Sequence, residues 1–307
     1  MNALLRTPRT LALISSILWL GISPTTAAPA AKKILFFSKS SGFEHSAIKC
    51  KDGQMSFAEK VLDELARTNH FEFTFTKDGR VFTPENIAKY DAFFFYTTGD
   101  LTEPGTDGNP PMSKEGKAAF LQAIYKGKGF IGTHSATDTF HSPGGEKMSA
   151  ARWKNDGENV DPYVRMIGAE FIVHGAQQKG HQICVDRKFP GMSAVPADFA
   201  PLEEWYTLKD FAPNLHVLLV QDTSHMEKTG GNHCYDRPEY PSTWAHLYGK
   251  GRVFYTSMGH REDVWTNPVF QQVLLGGINW AVGNVKAKVK PNMDQVTPWA
   301  DVLPSQP

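Results

Sequence analysis

The sequence predicts an α/β fold: an open, doubly wound, mostly parallel sheet covered by helices on both faces and carrying a C-terminal hairpin. Three observations lead there. Residues 33–38, 91–96 and 130–133 are short apolar runs, the composition of strands buried on both faces. Stretches of helical period alternate with them, and β-α-β alternation implies a parallel sheet with right-handed crossovers. Finally, residues 244–256 (WAHLYGKGRVFYT) read as two strands about a Gly-Lys-Gly turn, the pattern of a hairpin.

Taken in order, the first strand (33–38) empties into the polar loop Lys39-Ser-Ser-Gly-Phe-Glu-His45. A helix follows, with Phe57, Val61, Leu62 and Leu65 on one face. Residues 71–76 (FEFTFT) alternate and predict a strand near the sheet edge. Thr83-Pro84-Glu85 opens a short helix, with Thr as cap and Pro at the first helical position. The strand 91–96 exits through Thr97-Thr-Gly-Asp100. Ser113 caps a helix whose inner face is Phe120, Leu121, Ile124 and Tyr125. That helix leads into residues 130–133 and a turn of small residues with His134 at its apex. Residues 138–165 are an irregular stretch with Trp153 and Tyr163 embedded, the usual form of a lid or binding loop. Short strands are expected near 171–174 and 182–185, and a longer one at 215–220. The last helix carries Phe270, Val273, Leu274, Gly277, Ile278 and Ala281 on one stripe, and the chain after Gly283 has no periodic core signal.

Composition narrows the function classes. The 307 residues are 41% hydrophobic with 26 Gly and 20 Pro, enough for one large domain or two small ones. Lys+Arg and Asp+Glu are equal at 32 each, so no basic surplus points to nucleic acid or an acidic membrane surface. Residues 1–30 have the form of a secretory signal peptide: Arg6 and Arg9, an apolar stretch from Leu11 to Ile22, then Ala28-Pro29-Ala30 at the expected cut. The alternative is an uncleaved anchor, for which the apolar run is short. Cleavage leaves 30 Lys+Arg against 32 Asp+Glu, an acidic excess of two. The expectation is an exported protein, periplasmic or secreted, free of the membrane after cleavage. Cys50, Cys184 and Cys234 allow one disulfide and one leftover thiol; none has metal-site spacing.

The polar residues at strand exits carry the functional argument, because ligands of open α/β sheets bind beyond the carboxyl ends of the strands. His45, Asp100, His134 and His260 each follow an expected strand. Singly, each is as well read as a satisfied loop residue; together they predict one pocket. His260-Arg-Glu262 is a local His-x-Glu pair, in which the carboxylate could orient the imidazole as a base. Glu203-Glu204-Trp205-Tyr206 places acids beside aromatics; acids accept sugar hydroxyls and aromatics stack on sugar faces, while Trp205 and Trp244 are equally suited to a core. A zinc ion is the cofactor that His134, Asp138, His174 and His260 could accept, although His-Glu-x-x-His is absent. Nucleophilic catalysis has little support: no cysteine sits on a strand-to-helix elbow and there is no Gly-x-Ser-x-Gly.

The segments 34–46 (ILFFSKSSGFEHS), 132–138 (GTHSATD), 171–174 (FIVH), 204–206 (EWY) and 244–260 (WAHLYGKGRVFYTSMGH) together resemble the ThuA-like (trehalose utilisation) family. The resemblance runs from about Lys33 to Gly283 and divides the chain into a signal peptide (1–30), a ThuA-like domain (31–285) and a C-terminal tail (286–307). It implies a class I glutamine-amidotransferase-like, flavodoxin-like fold. In class I amidotransferases the elbow is Gly-x-Cys-x-Gly; here it reads Gly132-Thr-His134-Ser-Ala136, so the resemblance retains the frame of the site, with His260 and Glu262 in place of the His-x-Glu partners, and loses the thiolate that glutamine hydrolysis needs. The substrate class it implies is trehalose or a related keto-disaccharide. The resulting expectation is a carbohydrate-processing enzyme without a nucleotide cofactor, acting on a small sugar. His134 and His260 supply acid/base chemistry, Glu262 orients His260, and His45, Asp100, Asp138, Glu204, Trp205 and Trp244 bind substrate. A zinc-dependent hydrolase at the same site and a non-catalytic sugar-binding protein are the alternatives.

Overall fold

Alternating inward residues of the central strands sort the core into two layers. In the computed structural model, which describes residues 30–145 and 149–306, Phe36, Phe94, Ile131 and Phe254 face one layer. Their neighbours Phe37, Phe95, Phe130 and Tyr255 face the other. Side chains alternate across a sheet, so a sheet that buries both sets must be covered on both sides. The expected signal peptide falls almost wholly outside the described residues. Among those described, no helix is long and apolar enough to cross a membrane.

The strands are β1 (Lys32–Phe37), β2 (Phe71–Thr76), β3 (Ala92–Phe95), β4 (Gly129–Thr133), β5 (Glu170–His174), β6 (Gln178–Lys179), β7 (Gln182–Cys184), β8 (Leu202–Glu203), β9 (Tyr206–Lys209), β10 (His216–Gln221), β11 (Tyr240–Tyr248) and β12 (Gly251–Thr256). The helices are α1 (Phe57–Asn69), α2 (Pro84–Ile87), α3 (Lys114–Lys126), α4 (Pro162–Ile167), α5 (Glu262–Trp265), α6 (Pro268–Ala281) and α7 (Met293–Val296). Eight strands form one sheet in the order β2-β1-β3-β4-β12-β11-β10-β7. It is parallel from β2 through β12 and antiparallel beyond. The α/β expectation holds, including the β11–β12 hairpin, whose turn is Gly249-Lys250 between the paired residues Tyr248 and Gly251.

The caps explain the helix starts. Ser56 and Glu59 form a reciprocal capping box on α1, Thr83 caps α2 with Pro84 behind it, and the Ser113 hydroxyl accepts from Gly116 N on α3. Such caps contribute about 1 kcal/mol each.

Two small sheets, β5–β9 and β6–β8, arise from the irregular second half. The segment 171–174, expected as a sheet strand, belongs to one of these rather than to the main sheet. Their pairs are too short to give a periodic signal. The chain after Gly283 also packs: Met293 and Ala300 are buried, and the Asn292 amide bonds both the N–H and the C=O of Val217. All three cysteines are free thiols, so the single bridge their number allowed is absent.

Candidate functional site

Four histidines and a glutamate meet at the carboxyl edge of the parallel strands. His45 follows β1 and His134 is the residue after β4. His260 follows β12, and Glu204 lies between β8 and β9. His174, the last residue of β5, stands at the rim. The order β2-β1-β3-β4 reverses direction between β1 and β3, the switch point where such sheets bind ligands.

The elbow is strained. His134 has φ +44°, a left-handed conformation that costs a non-glycine residue about 1–3 kcal/mol and persists only where its surroundings impose it. They do so here: the His134 carbonyl accepts from the Tyr255 hydroxyl at 2.7 Å, and its Nδ1–H donates to Ser257 O at 3.2 Å. The neighbouring loop is clamped as firmly. Gly259 O accepts from the Tyr96 hydroxyl at 3.0 Å and from the Trp265 indole at 2.8 Å. A Cβ on Gly259 (φ +120°) would lie 2.7 Å from Thr133 Oγ1, so only glycine lets this loop press against β4.

Glu203 ties two of the converging segments together. One carboxylate oxygen accepts from Gly259 N at 2.6 Å and His260 N at 2.9 Å; the other accepts from Glu204 N at 2.8 Å. Burial pushes the Glu203 carboxyl up to about 7, against the opposing pull of these backbone N–H groups.

At the centre, His260 Nδ1 lies 3.1 Å from Glu204 Oε2 and 3.2 Å from His134 Nε2, and that Nε2 is 3.6 Å from Glu204 Oε2. His174 Nδ1 is 3.4 Å from Glu204 Oε1. Burial pulls His134 down to about 4, and burial with the neighbouring imidazoles holds His45 well below its ordinary value. A neutral His134 that donates through Nδ1 presents a bare lone pair at Nε2, so the proton facing Glu204 belongs to His260. Burial alone would raise the Glu204 carboxyl; its imidazole neighbours outweigh that and hold it well below the usual carboxylate range. The Tyr206 hydroxyl is 3.5 Å from His45 Nε2, and among the described residues the buried His45 Nδ1 has no hydrogen-bond partner.

The remaining site expectations fare differently. Glu262 is exposed at the start of α5, and His260 faces Glu204 instead. Asp100 is exposed and closes its own turn, accepting from the backbone and hydroxyl of Thr102 at 2.8 and 2.7 Å. Asp138 turns away from the histidines to His141 and Arg152, each at 2.8 Å, which removes it from the expected zinc set. His174 is not within the tight group either; the side chains whose donor atoms all lie within 4.8 Å of one another are His45, His134, Glu204 and His260. Trp205 and Trp244 are core residues: both are buried, and their indoles donate to Gln178 O at 3.0 Å and Ile167 O at 2.8 Å. Tyr206, an aromatic beside Glu204 in the sequence, lines the centre, as do Tyr96 and Gln177, whose amide is 3.0 Å from His260 Nε2; those two have no signal in sequence spacing.

This arrangement stands in a recognisable lineage. The family model for ThuA, described as trehalose utilisation, matches residues 33–281. The chain belongs to the ThuA family. Solved structures agree on the ThuA fold. A putative ThuA-like protein from Bacteroides uniformis is similar with a TM-score of 0.60 at 19% identity, over 88% of this chain and 98% of that one. Another from Parabacteroides merdae gives 0.58 at 17% identity, over 84% and 93%. No curated protein matches the chain in sequence. ThuA membership places this chain in a family tied to trehalose utilisation; the chemistry has to be argued from the site.

Proposed function

We propose that this chain is an exported enzyme that processes a small carbohydrate, trehalose or a related keto-disaccharide, at the centre formed by His45, His134, Glu204 and His260. The observation that supports it most is the convergence of these four side chains, from four separate segments, at the ligand-binding edge of the sheet in a ThuA-family chain. A keto-sugar has acidic protons on the carbons beside its carbonyl. In the metal-free cluster, His134 Nε2 is an unprotonated base held in place by its Nδ1–H bond, and the Glu204–His260 pair takes up and returns a proton. Removing the α-proton sends electrons to the carbonyl oxygen. Returning the proton to the neighbouring position completes an isomerisation, and loss of a β-substituent completes an elimination. His174 and Gln177 at the rim offer the hydrogen bonds that sugar hydroxyls require.

The test is a turnover screen of the mature protein on trehalose, related disaccharides and their 3-keto derivatives, followed by exchange of the α-proton in deuterated water. Turnover of a keto-disaccharide with solvent deuterium incorporated, lost in His134→Asn, is the expected result. Binding of sugar with neither turnover nor exchange would leave a sugar-binding protein. Export is tested separately by sequencing the N-terminus of the protein recovered outside the cytoplasm, expected to begin at Ala31.

A further inference from the structure

We propose that the cluster of His45, His134, Glu204 and His260 is the binding site of one zinc-type divalent transition-metal ion. This rests on the location of the working centre given above, and in the loaded state it reassigns His134 from base to ligand.

The distances support it first. A tetrahedral ion with bonds of 2.0–2.2 Å holds its ligand atoms about 3.3–3.5 Å apart. The three edges among His134 Nε2, His260 Nδ1 and Glu204 Oε2 are 3.2, 3.1 and 3.6 Å, so one face of that tetrahedron is already formed. His45 is the fourth corner, its donor atom within 4.8 Å of the others, so the loop after β1 has at most about 1.5 Å to close to reach the ideal edge.

The proton count supports it next. With His134 Nδ1–H committed to Ser257 O, the central face holds a lone pair on His134, a carboxylate oxygen and one proton on His260. One proton therefore serves two acceptors at once, where a cation would satisfy all three donor atoms. His45 Nδ1, in a residue only 2% exposed, has no partner among the described residues. Buried polar groups are normally paired, and His45 leaves one ring nitrogen unpaired although its ring lies 4.8 and 5.2 Å from those of His134 and His260.

The surroundings complete the case. The second nitrogen of His134 donates to the Ser257 backbone carbonyl, which is how metal-binding imidazoles are oriented. No lysine or arginine pairs with Glu204 among the described residues. The chain's other close acidic group, Asp156, Glu170 and Asp210, is instead filled by the Lys209 ammonium at 2.5, 3.9 and 3.5 Å. Three imidazoles and one carboxylate suit zinc, cobalt or manganese better than calcium or magnesium, which prefer all-oxygen shells. By expanding to five-coordinate, a bound ion would polarise a sugar carbonyl or hydroxyl presented at the rim.

The experiment uses the whole mature chain, stripped with chelator and checked for folding by circular dichroism. It is titrated calorimetrically with zinc, cobalt and manganese chlorides in two buffers of different ionisation enthalpy. The expected result is one ion per chain, and for cobalt the intense visible absorption of a four-coordinate site. Glu204→Gln, which keeps the shape, should weaken binding by more than the roughly 10–100-fold that losing an outer-shell partner costs, while Glu262→Gln should bind as the parent does. A folded parent that takes up none of the three ions, or affinity unchanged in Glu204→Gln, overturns the proposal. Full turnover by the stripped protein also overturns it and leaves the acid/base reading standing. Stoichiometric binding without turnover of any sugar supports the metal site and overturns the carbohydrate reading instead.

Discussion

Two clusters of histidine and carboxylate in this chain resolve their charges in opposite ways. In the cluster around Glu170, every carboxylate touches a cationic group. Lys209, fully buried, sits among Asp156, Glu170 and Asp210; Arg152 holds Asp138; and His141 bridges Asp138 and Glu170 at 2.8 and 3.0 Å. In the cluster around Glu204 there are imidazoles and no permanent cation. Burial pulls His141 down, but its hydrogen bonds to two carboxylates outweigh that and raise it, whereas burial wins at His134. The first cluster holds its carboxylates against internal cations and reads as architecture. The second is incomplete, and incompleteness at a ligand-binding edge is what a site looks like before its ligand arrives.

The sharpest way to break this contrast is to open the closed cluster. Lys209→Met leaves buried carboxylates without their counter-charge, and losing one partner of a buried pair costs about 3–5 kcal/mol. Thermal and urea unfolding should show that loss, with part of it restored by millimolar calcium; a variant as stable as the parent would mean that the cluster was never held by charge. Next in size, His134→Asn should lower turnover by roughly 10²–10⁴-fold, the usual worth of a positioned proton-transfer group. Its stability should stay within about 1 kcal/mol of the parent, because asparagine tolerates the left-handed backbone. A large drop in melting temperature would make His134 architectural too.

Third, pH separates the clusters. His141 has a raised pKa in the folded state, so its protonated form contributes stability that is fully present below its unfolded value and is lost as pH rises through the folded one. His141→Gln should therefore cost more stability at pH 6 than at pH 9 in paired urea melts; a cost independent of pH would show that His141 acts by packing alone. The smallest effect belongs to Glu262→Gln. An exposed carboxylate at a helix start should change stability by no more than about 0.5 kcal/mol and leave turnover unaltered. A turnover loss there would return His260 to its sequence neighbour.

What the sequence revealed, and what it concealed, follows the same line. The central strands were legible because continuous apolar runs leave few alternatives, and His45, His134 and His260 were legible as strand exits. Glu204 was noted beside Trp205 and Tyr206 as an acid for sugar hydroxyls. Its pairing with two imidazoles depends on a loop between two-residue and four-residue strands that no periodicity announces. Glu262 was attractive only through proximity along the chain, and the turn into α5 sends its side chain to solvent. Asp138 was drawn off by Arg152, a partner in the irregular stretch. The two tryptophans went to the core because their indole N–H groups found backbone carbonyls there, which is what makes burying them tolerable.

The wide spacing of the central residues has a kinetic consequence. Residues 45, 134, 204 and 260 meet only when strands from both halves of the chain have docked, and contacts of such long sequence separation are costly to close early. A ligand that needs all four residues in place binds only chains in which these segments have docked. Whatever binds it should leave the refolding rate nearly unchanged and slow unfolding instead, so that occupancy sets how long each molecule survives in the native state.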